Sequence, residues 1–356
     1  MKKIIFLILT AFFSIGLLAG NPFKGTKAIV KSEYIYQQKD VLFPSCHAST
    51  ITETKDGLIA AWFGGTEERA PDVCIYSSIF LNGHWEIPAK VADGVQSDKK
   101  YPCWNPVLFT KDNGEIVLYY KVGPSPRTWW GLFKTSKDNG RTWSTESRIP
   151  DDLLGPIKNK PVRLPNGRLL YPSSVEDAQK WMIHLESSDQ NINDWKKITI
   201  DNNNYNSIQP SLLFYRKGKM QLLCRSRNKN INEAWSKDNG MTWSPLSPTQ
   251  LPNNNSGIDA VTLADQRQLL VFNPIVKGRY ELAVAVSGDG IHWDGAVLLE
   301  NDPKPEAEYS YPAVIQTKDG MVHITYTWNR NLIKHVVIDP SLIKTKPIFN
   351  GLWPEE

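Results

Sequence analysis

The sequence predicts an all-β fold, a six-bladed β-propeller with four-stranded antiparallel blades, and three observations carry this prediction. A tight-turn signal returns six times between apolar runs, at Asp56-Gly57, Asn113-Gly114, Asn166-Gly167, Lys217-Gly218, Asp265-Gln266 and Asp319-Gly320. The turns recur at intervals of about 50 residues, which is the mark of a repeat architecture. A tryptophan follows each of the first five turns by 25 to 29 residues.

Each turn lies between two strand-like runs, such as 107–109 and 116–120 around the second turn. Asn-Gly and Asp-Gly pairs favour hairpins because both residues tolerate a positive φ. A third strand follows each hairpin, and no long helical period appears. Four short strands per period, six times over, predict blades stacked around an axis, because one such sheet cannot bury both faces alone. A β-sandwich is the alternative, but it does not require equal periods.

The start of the chain has the pattern of a secretory signal peptide. Lys2-Lys3 precede an apolar run over 4–18 and the small residues Ala19-Gly20. The run is short for a membrane span. We therefore expect a signal peptide at 1–20, one propeller domain at 21–356, and a monomer exported to the periplasm or beyond, with no membrane insertion. The net charge of +4 argues against nucleic-acid binding and permits an anionic ligand.

A corner motif S-x-D-x-G-x-T-W occupies 136–143 and 236–243, and 287–293 repeats it with one residue lost. Its Ser and Asp side chains can bond local N–H groups, its Gly can take a strained dihedral, and its Trp can pack between sheets. These are Asp boxes, and the chain resembles the bacterial sialidase (neuraminidase) family with BNR/Asp-box repeats over most of its length. The resemblance implies a glycoside hydrolase of the exo-α-sialidase type that cleaves a terminal acidic sugar without a cofactor.

Blade topology predicts where the site lies. The Asp boxes share one end of the blades with the repeat turns, so the starts of the innermost strands face the other end, where propellers bind ligands. These starts are polar: His47, Asn105, Lys158 or Lys160, Gln209, Asp259 and Tyr309. The ends of the second strands add a ring rich in arginine and carboxylates: Glu67, Glu68, Arg69, Asp72, Lys121, Arg127, Glu176, Arg225, Arg227, Asn273, Arg279 and Arg330.

Arginine offers a planar fork that matches a carboxylate, so this ring predicts a pocket for an acidic glycan. We expect eight residues to bind that substrate: Arg69, Asn105, Gln209, Arg225, Arg227, Asp259, Arg279 and Arg330. The spacing of the histidines does not indicate a metal site, and no phosphate-binding loop or serine nucleophile elbow is present in the sequence.

The family resemblance assigns the catalytic roles. The segment Glu308-Tyr309-Ser310 resembles the one that bears the nucleophilic tyrosine, and Asp72 lies where the acid/base aspartate is expected. Arg279 resembles the last arginine of a carboxylate-binding triad, and Arg225 or Arg227 resembles the middle one.

Two features depart from the pattern of that family. The segment 44–49 has no arginine, and Ile208-Gln209-Pro210 lacks the glutamate that partners the tyrosine. A phenol without a base is a weak nucleophile. His47 is the additional group predicted at the mouth, and it can donate or accept a proton near neutral pH.

Three functions therefore remain open. The first is hydrolysis with Asp72 as the acid and Tyr309 or water as the nucleophile. The second is β-elimination from a uronate, or a rhamnosidase-type reaction, in which His47 and Tyr309 would share the proton transfers. The third is glycan binding without catalysis. A bridge between Cys46 and Cys103, which hold equivalent repeat positions, is also left open.

Overall fold

The computed structural model describes residues 26–177 and 179–354. In this part of the chain, six antiparallel sheets of four or five strands succeed one another, which confirms the six-bladed all-β propeller. The predicted signal peptide at 1–20 lies outside the described residues, and a single domain at 21–356 stays a prediction. Across the described residues, no helix is long and apolar enough to cross a membrane.

The first three blades follow the chain after β1 (Ile29–Tyr34). Blade 1 contains β2 (Ser45–Glu53), β3 (Leu58–Gly65), β4 (Cys74–Leu81), β5 (His84–Trp85) and β6 (Ala89–Ala92). A small hairpin of β7 (Val95–Gln96) and β8 (Lys99–Lys100) comes next. Blade 2 contains β9 (Cys103–Thr110), β10 (Ile116–Val122), β11 (Trp130–Ser136) and β12 (Ser147–Arg148). Blade 3 contains β13 (Val162–Arg163), β14 (Leu169–Glu176), β15 (Trp181–Ser188) and β16 (Lys196–Thr199).

The last three blades close the ring. Blade 4 contains β17 (Ser207–Phe214), β18 (Met220–Ser226), β19 (Asn230–Ser236) and β20 (Ser247–Pro252). Blade 5 contains β21 (Asp259–Thr262), β22 (Gln268–Phe272), β23 (Glu281–Ser287), β24 (Asp294–Asn301) and, at its edge, β28 (Lys346–Pro347). Blade 6 contains β25 (Tyr309–Gln316), β26 (Val322–Trp328) and β27 (Leu332–Ile338). Short 3₁₀ helices span Gln38–Asp40, Arg216–Gly218 and Pro340–Leu342.

Strand β1 completes blade 6 as its outermost strand. It pairs antiparallel with β27, from Ile29 opposite Ile338 to Tyr34 opposite Lys334. The first strand of the chain thus belongs to the sheet of the sixth blade, so backbone hydrogen bonds hold the ring closed. Apolar side chains fill the space between neighbouring blades, as in the buried cluster of Val271, Val284 and Ile324 between blades 5 and 6.

The predicted turns have the expected backbone. The second residue of five of the six turn signals takes a positive φ: Gly114, Gly167, Gly218, Gln266 and Gly320. In the first turn, a Cβ on Gly57 would collide with the carbonyl oxygen of Phe80. Hairpin geometry therefore explains the recurring glycines along the chain.

The Asp boxes are self-contained corners, as their sequence predicts. Asp138 Oδ1 accepts a hydrogen bond from the backbone N–H of Thr142 at 2.9 Å, and Ser136 Oγ accepts one from Gly140 N–H at 2.9 Å. The hydrogen bonds from Thr142 lower the pKa of Asp138 to about 2. In the shortened third box, His292 takes the place of the threonine, and its backbone N–H donates to Asp289 Oδ1 at 2.8 Å. The carboxylates of the Asp boxes therefore stabilise the turn in which they lie.

All four cysteines are free, buried thiols. Cys46 packs beside Trp62 within blade 1, whereas Cys103 belongs to the cluster between blades 1 and 2. The bridge between Cys46 and Cys103 is therefore not present.

Candidate active site

A backbone irregularity recurs at the same level of four inner strands. Strands β2, β9, β17 and β25 each carry a register shift against the next strand. The shifts coincide with residues of positive φ: Ala48, Asn105, Gln209 and Tyr311. A bulge of this kind bends its strand and redirects a side chain. The four bulges mark one end of the propeller, where the inner strands begin.

Tyr311 lies at the centre of this end. Arg225 Nη1 donates a hydrogen bond of 2.6 Å to the Tyr311 hydroxyl oxygen, and Gln209 Nε2 approaches that oxygen to 3.3 Å. The ammonium group of Lys158 stands 5.9 Å from the centre of the ring. Blades 4 and 6 thus meet at a phenol that is held by a guanidinium and an amide.

His47 packs against Tyr311, with the two ring centres 4.1 Å apart. Its Nδ1 shares a hydrogen bond of 3.0 Å with Thr327 Oγ1 on β26. Burial, followed by four nearby cations, holds the pKa of His47 well below its usual value, so the ring is neutral at physiological pH. These cations are Arg330, Arg279, Arg225 and Lys158.

Two further arginines at the mouth are joined by carboxylates. Arg279 Nη1 donates to Glu308 Oε1 at 2.7 Å, and Arg330 Nε donates to the same oxygen at 2.9 Å. Arg330 Nη1 also donates to Glu68 Oε2 at 2.6 Å, which connects blades 6 and 1. Burial alone would raise the pKa of Glu308, but the two guanidinium groups bring it below its usual value. This carboxylate therefore stays ionised.

Arg225 differs from its neighbours in its partners. It is 8% exposed, and its hydrogen bonds go to neutral groups, namely Tyr311, Gln209 Oε1 at 3.4 Å and Asn255 Oδ1 at 3.0 Å. Its guanidinium also lies 5.1 Å from the ring of Trp181. A buried cation whose hydrogen bonds go to neutral groups is costly, because no hydrogen-bonded carboxylate offsets the loss of hydration. The arrangement is suited to binding an anion.

Glu176, at the end of β14, has a raised pKa, in contrast to Glu308. Burial raises its pKa, although the charges of Arg225 and Arg227 act against the rise. The charge of Glu68 also raises this pKa. A carboxyl with a raised pKa keeps its proton to higher pH and can serve as a general acid.

The structure brings together many of the residues predicted for the site and leaves others outside it. His47, Gln209, Arg225, Arg279 and Arg330 all surround Tyr311 by direct contact or by charge. Arg227 is exposed at the rim and stacks on Trp181 at 3.7 Å. Asn105 is buried at the bulge of β9, and Arg69 is exposed in the β3–β4 connection.

Tyr309, the expected nucleophile, lies apart from this group. Its hydroxyl donates to Asp302 Oδ2 at 2.9 Å, and its ring belongs to the apolar cluster between blades 5 and 6, beside Trp328. The bulge of β25 explains the difference, because the shift between Ser310 and Ala313 gives Tyr311 the central position.

Asp72 and Asp259 each have structural partners. Asp72 is exposed and accepts hydrogen bonds from the N–H and hydroxyl of Thr66, which lower its pKa and make it a poor proton donor. Asp259 is buried, pairs with Lys160 at 2.9 Å, and accepts a hydrogen bond from the N–H of Val314. It thereby ties blades 3, 5 and 6 together beneath the mouth.

The sequence did contain a signal for Tyr311. Ala48, Asn105, Gln209 and Tyr311 each lie eight residues before the first residue of their turn signal. A proline follows three of the four, and proline suits a bulge because it cannot donate to the ladder. Counting eight residues instead of about ten would have selected Tyr311. Among the described residues, no cluster of His, Cys, Asp and Glu could hold a metal ion.

Comparisons with known proteins agree with this fold. A family model described as a BNR repeat-like domain matches residues 56–324. No curated protein matches the sequence.

Three solved structures illustrate the likeness in three dimensions. A protein of unknown function from Dyadobacter fermentans has a TM-score of 0.70 at 18% identity, over 87% of this chain and 98% of its own. The NanB sialidase of Streptococcus pneumoniae has a TM-score of 0.70 at 12% identity, over 91% and 71%. The intramolecular trans-sialidase of Ruminococcus gnavus has a TM-score of 0.69 at 13% identity, over 92% and 99%. At such identities, the likeness shows the fold alone.

Proposed function

The chain belongs to the BNR repeat-like domain family, and on that premise we propose that it is a sialidase-like glycoside hydrolase that removes a terminal acidic sugar from glycans. One observation carries the proposal. Arg225 is buried, bonds to neutral groups, and touches the hydroxyl of Tyr311. A substrate carboxylate would supply an anionic hydrogen-bond partner for Arg225 beside a side chain that can react.

The other cations at the mouth support the same substrate class. The guanidinium groups of Arg225 and Arg279 lie 5.7 and 5.9 Å from the centre of the Tyr311 ring, so these two cations face the same side chain. Arg279 and Arg330 already share Glu308. They therefore shape the field at the mouth, whereas Arg225 is the fork left for the ligand.

The proposed reaction uses the two rings in contact at the centre. The Tyr311 oxygen attacks the anomeric carbon of the bound sugar as the bond to the leaving oxygen breaks. Neutral His47 is the group beside Tyr311 that can take the phenol proton. Water then attacks the same carbon, releases the free acidic sugar, and returns the oxygen to Tyr311. The leaving oxygen requires a proton from an acid at the mouth.

The experiment compares Tyr311→Phe with Tyr309→Phe as the matched control. The substrates are 4-methylumbelliferyl glycosides of sialic acid and of glucuronic acid. We expect wild-type protein to hydrolyse one of them, Tyr311→Phe to lose about 10³-fold or more in kcat, and Tyr309→Phe to retain its activity. Equal losses in both variants would contradict the role of Tyr311. Binding without turnover by the wild type would contradict the proposed hydrolysis and favour a glycan-binding protein.

One observation favours a second candidate, β-elimination from a uronate. A nucleophilic tyrosine would be served by a carboxylate base, but the group beside the Tyr311 hydroxyl is the amide of Gln209. His47 is neutral and can therefore accept a proton. His47 would take the proton next to the carboxylate, and Tyr311 would protonate the leaving oxygen. The product would carry a new carbon–carbon double bond. An ultraviolet absorbance that grows with turnover of a uronic-acid glycan therefore distinguishes elimination from hydrolysis, which produces none.

A further inference from the structure

A groove of about 350 Å³ lies between blades 2 and 3, and Glu176 is one of the residues that line it. Trp129 and Trp130 line it, and Arg127 and Arg148 lie along its sides. The volume lies within the usual range of small-ligand sites. Aromatic side chains next to polar groups provide the surface that a pyranose ring needs, with an apolar face and hydrogen-bonding edges.

The tryptophans of this groove have unmet hydrogen-bonding capacity. Trp129 is 8% exposed and packs on Trp104, and Trp130 packs edge-on against Tyr101. Among the described residues, neither indole N–H has a hydrogen-bond partner. A buried donor without an acceptor costs free energy. Both N–H groups are enclosed by protein, so the indole rings rather than their N–H groups form the surface that a sugar would contact.

The charges of the groove favour a neutral ligand. Arg148 forms an ion pair with Asp151 at 3.1 Å and lies 5.3 Å from the ring of Trp130. Arg127 is an exposed cation close enough to Glu176 to affect its carboxyl. The groove thus holds both signs of charge, in contrast to the cationic centre around Tyr311.

Glu176 belongs to both places. It lines the groove, and on β14 it lies opposite Trp181, whose ring is 5.1 Å from the guanidinium of Arg225 at the central mouth. A bond between a sugar at Tyr311 and a sugar in the groove would therefore pass near this carboxyl.

We propose that this groove binds the neutral hexopyranose that forms the leaving group, and that Glu176 is the acid that protonates the leaving oxygen. The inference rests on the proposed hydrolysis and names the second half of its substrate. As the glycosidic bond breaks, the proton of Glu176 moves to the leaving oxygen, which becomes a hydroxyl of the departing sugar. Glu176, now a carboxylate, then takes a proton from the water that attacks the anomeric carbon, so the acid is regenerated.

The role of Glu176 is tested with two leaving groups. Glu176→Gln is compared with wild type on 3′-sialyllactose, whose leaving group is a sugar, and on 4-methylumbelliferyl sialoside, whose phenol leaves without much help. We expect kcat to fall about 10²- to 10⁴-fold on the first and much less on the second. Glu281→Gln is the control, because burial also raises the pKa of Glu281 although it lies in blade 5. Equal losses on both substrates would overturn the role of Glu176 as the acid.

The groove itself is tested by binding, which does not require turnover. Calorimetric titration with lactose is carried out on wild type, Arg127→Ala and Trp130→Ala, with Arg141→Ala in an Asp box as the control. We expect Trp130→Ala to weaken lactose binding about 10-fold, Arg127→Ala to weaken it less, and Arg141→Ala to leave it unchanged. Absence of lactose binding by the wild type, or equal binding by all the variants, would overturn the assignment of the groove.

The two proposals fail in different ways. If no acidic glycoside is turned over, the proposed hydrolysis fails, while the lactose titrations still decide whether the groove binds a sugar. If turnover is present but Trp130→Ala raises KM equally for 3′-sialyllactose and the methylumbelliferyl sialoside, hydrolysis stands and the leaving-group subsite is refuted.

Discussion

Replacing Arg225 by Gln separates a binding role from a structural one. The side chain is 8% exposed and bonds to Tyr311, Gln209 and Asn255, all of them neutral. Leaving one partner of a buried, hydrogen-bonded charge pair alone typically costs about 2 to 5 kcal/mol of binding. We therefore expect Arg225→Gln to bind an acidic sugar about 30-fold to 4,000-fold more weakly than wild type.

The same substitution has an unusual expected effect on stability. It removes a few hydrogen bonds of about 1 kcal/mol each, but it also removes a buried charge whose desolvation costs several kcal/mol. We expect the free energy of unfolding either to fall by no more than about 1 kcal/mol or to rise.

Both effects can be measured on the same protein. Guanidinium unfolding gives the stability of each form without ligand, and titration with the free acidic sugar gives the binding. A sugar concentration of a hundred times the wild-type Kd should add about 2.7 kcal/mol to wild type and less than about 1 kcal/mol to the variant. A loss of more than about 3 kcal/mol in the ligand-free variant, with binding retained, would refute the reasoning and make Arg225 a structural residue.

Two further predictions concern stability. Burial, followed by the neighbouring His335, lowers the pKa of His323 to about 4. Neutral His323 therefore contributes on the order of 3 kcal/mol to the free energy of unfolding. This contribution is complete above the unfolded pKa of about 6.5 and is lost as the pH falls towards 4. The free energy of unfolding, plotted against pH across this range, should have a shallower slope for His323→Gln than for wild type. His84 is exposed, so His84→Gln should have the same slope as wild type. Asp138→Ala removes the acceptor of an Asp-box corner and should cost about 1 to 2 kcal/mol without changing kcat/KM, and a lost activity at full stability would contradict that structural role.

The candidate site could be predicted in part because the repeat sets a common level for all blades. His47, Gln209, Arg225, Arg279 and Arg330 come from four blades, and the sequence selected each of them by its distance from a turn signal. The distance from a turn signal predicts the position of a residue because each blade begins with a hairpin of the same geometry. It is accurate only to a residue or two, and the bulge of β25 gives Tyr311 rather than Tyr309 the central position, so a small error exchanges one tyrosine for the other.

The architecture of the blades follows from local features of the chain. Turn residues that tolerate positive φ, apolar runs of strand length and Asp boxes that satisfy their own hydrogen bonds are all local features, and each acts within a few residues of the chain.

Which side chains meet at the mouth depends instead on how distant segments pack. The bulge of β25 placed Tyr311 at the centre and left Tyr309 bonded to Asp302 between two blades. The pairing of β1 with β27 joined the ends of the ring, and burial raised the pKa of Glu176 beside charges from distant parts of the chain. These outcomes depend on packing between segments hundreds of residues apart, and the desolvation and charge contacts that this packing creates have no counterpart in local sequence.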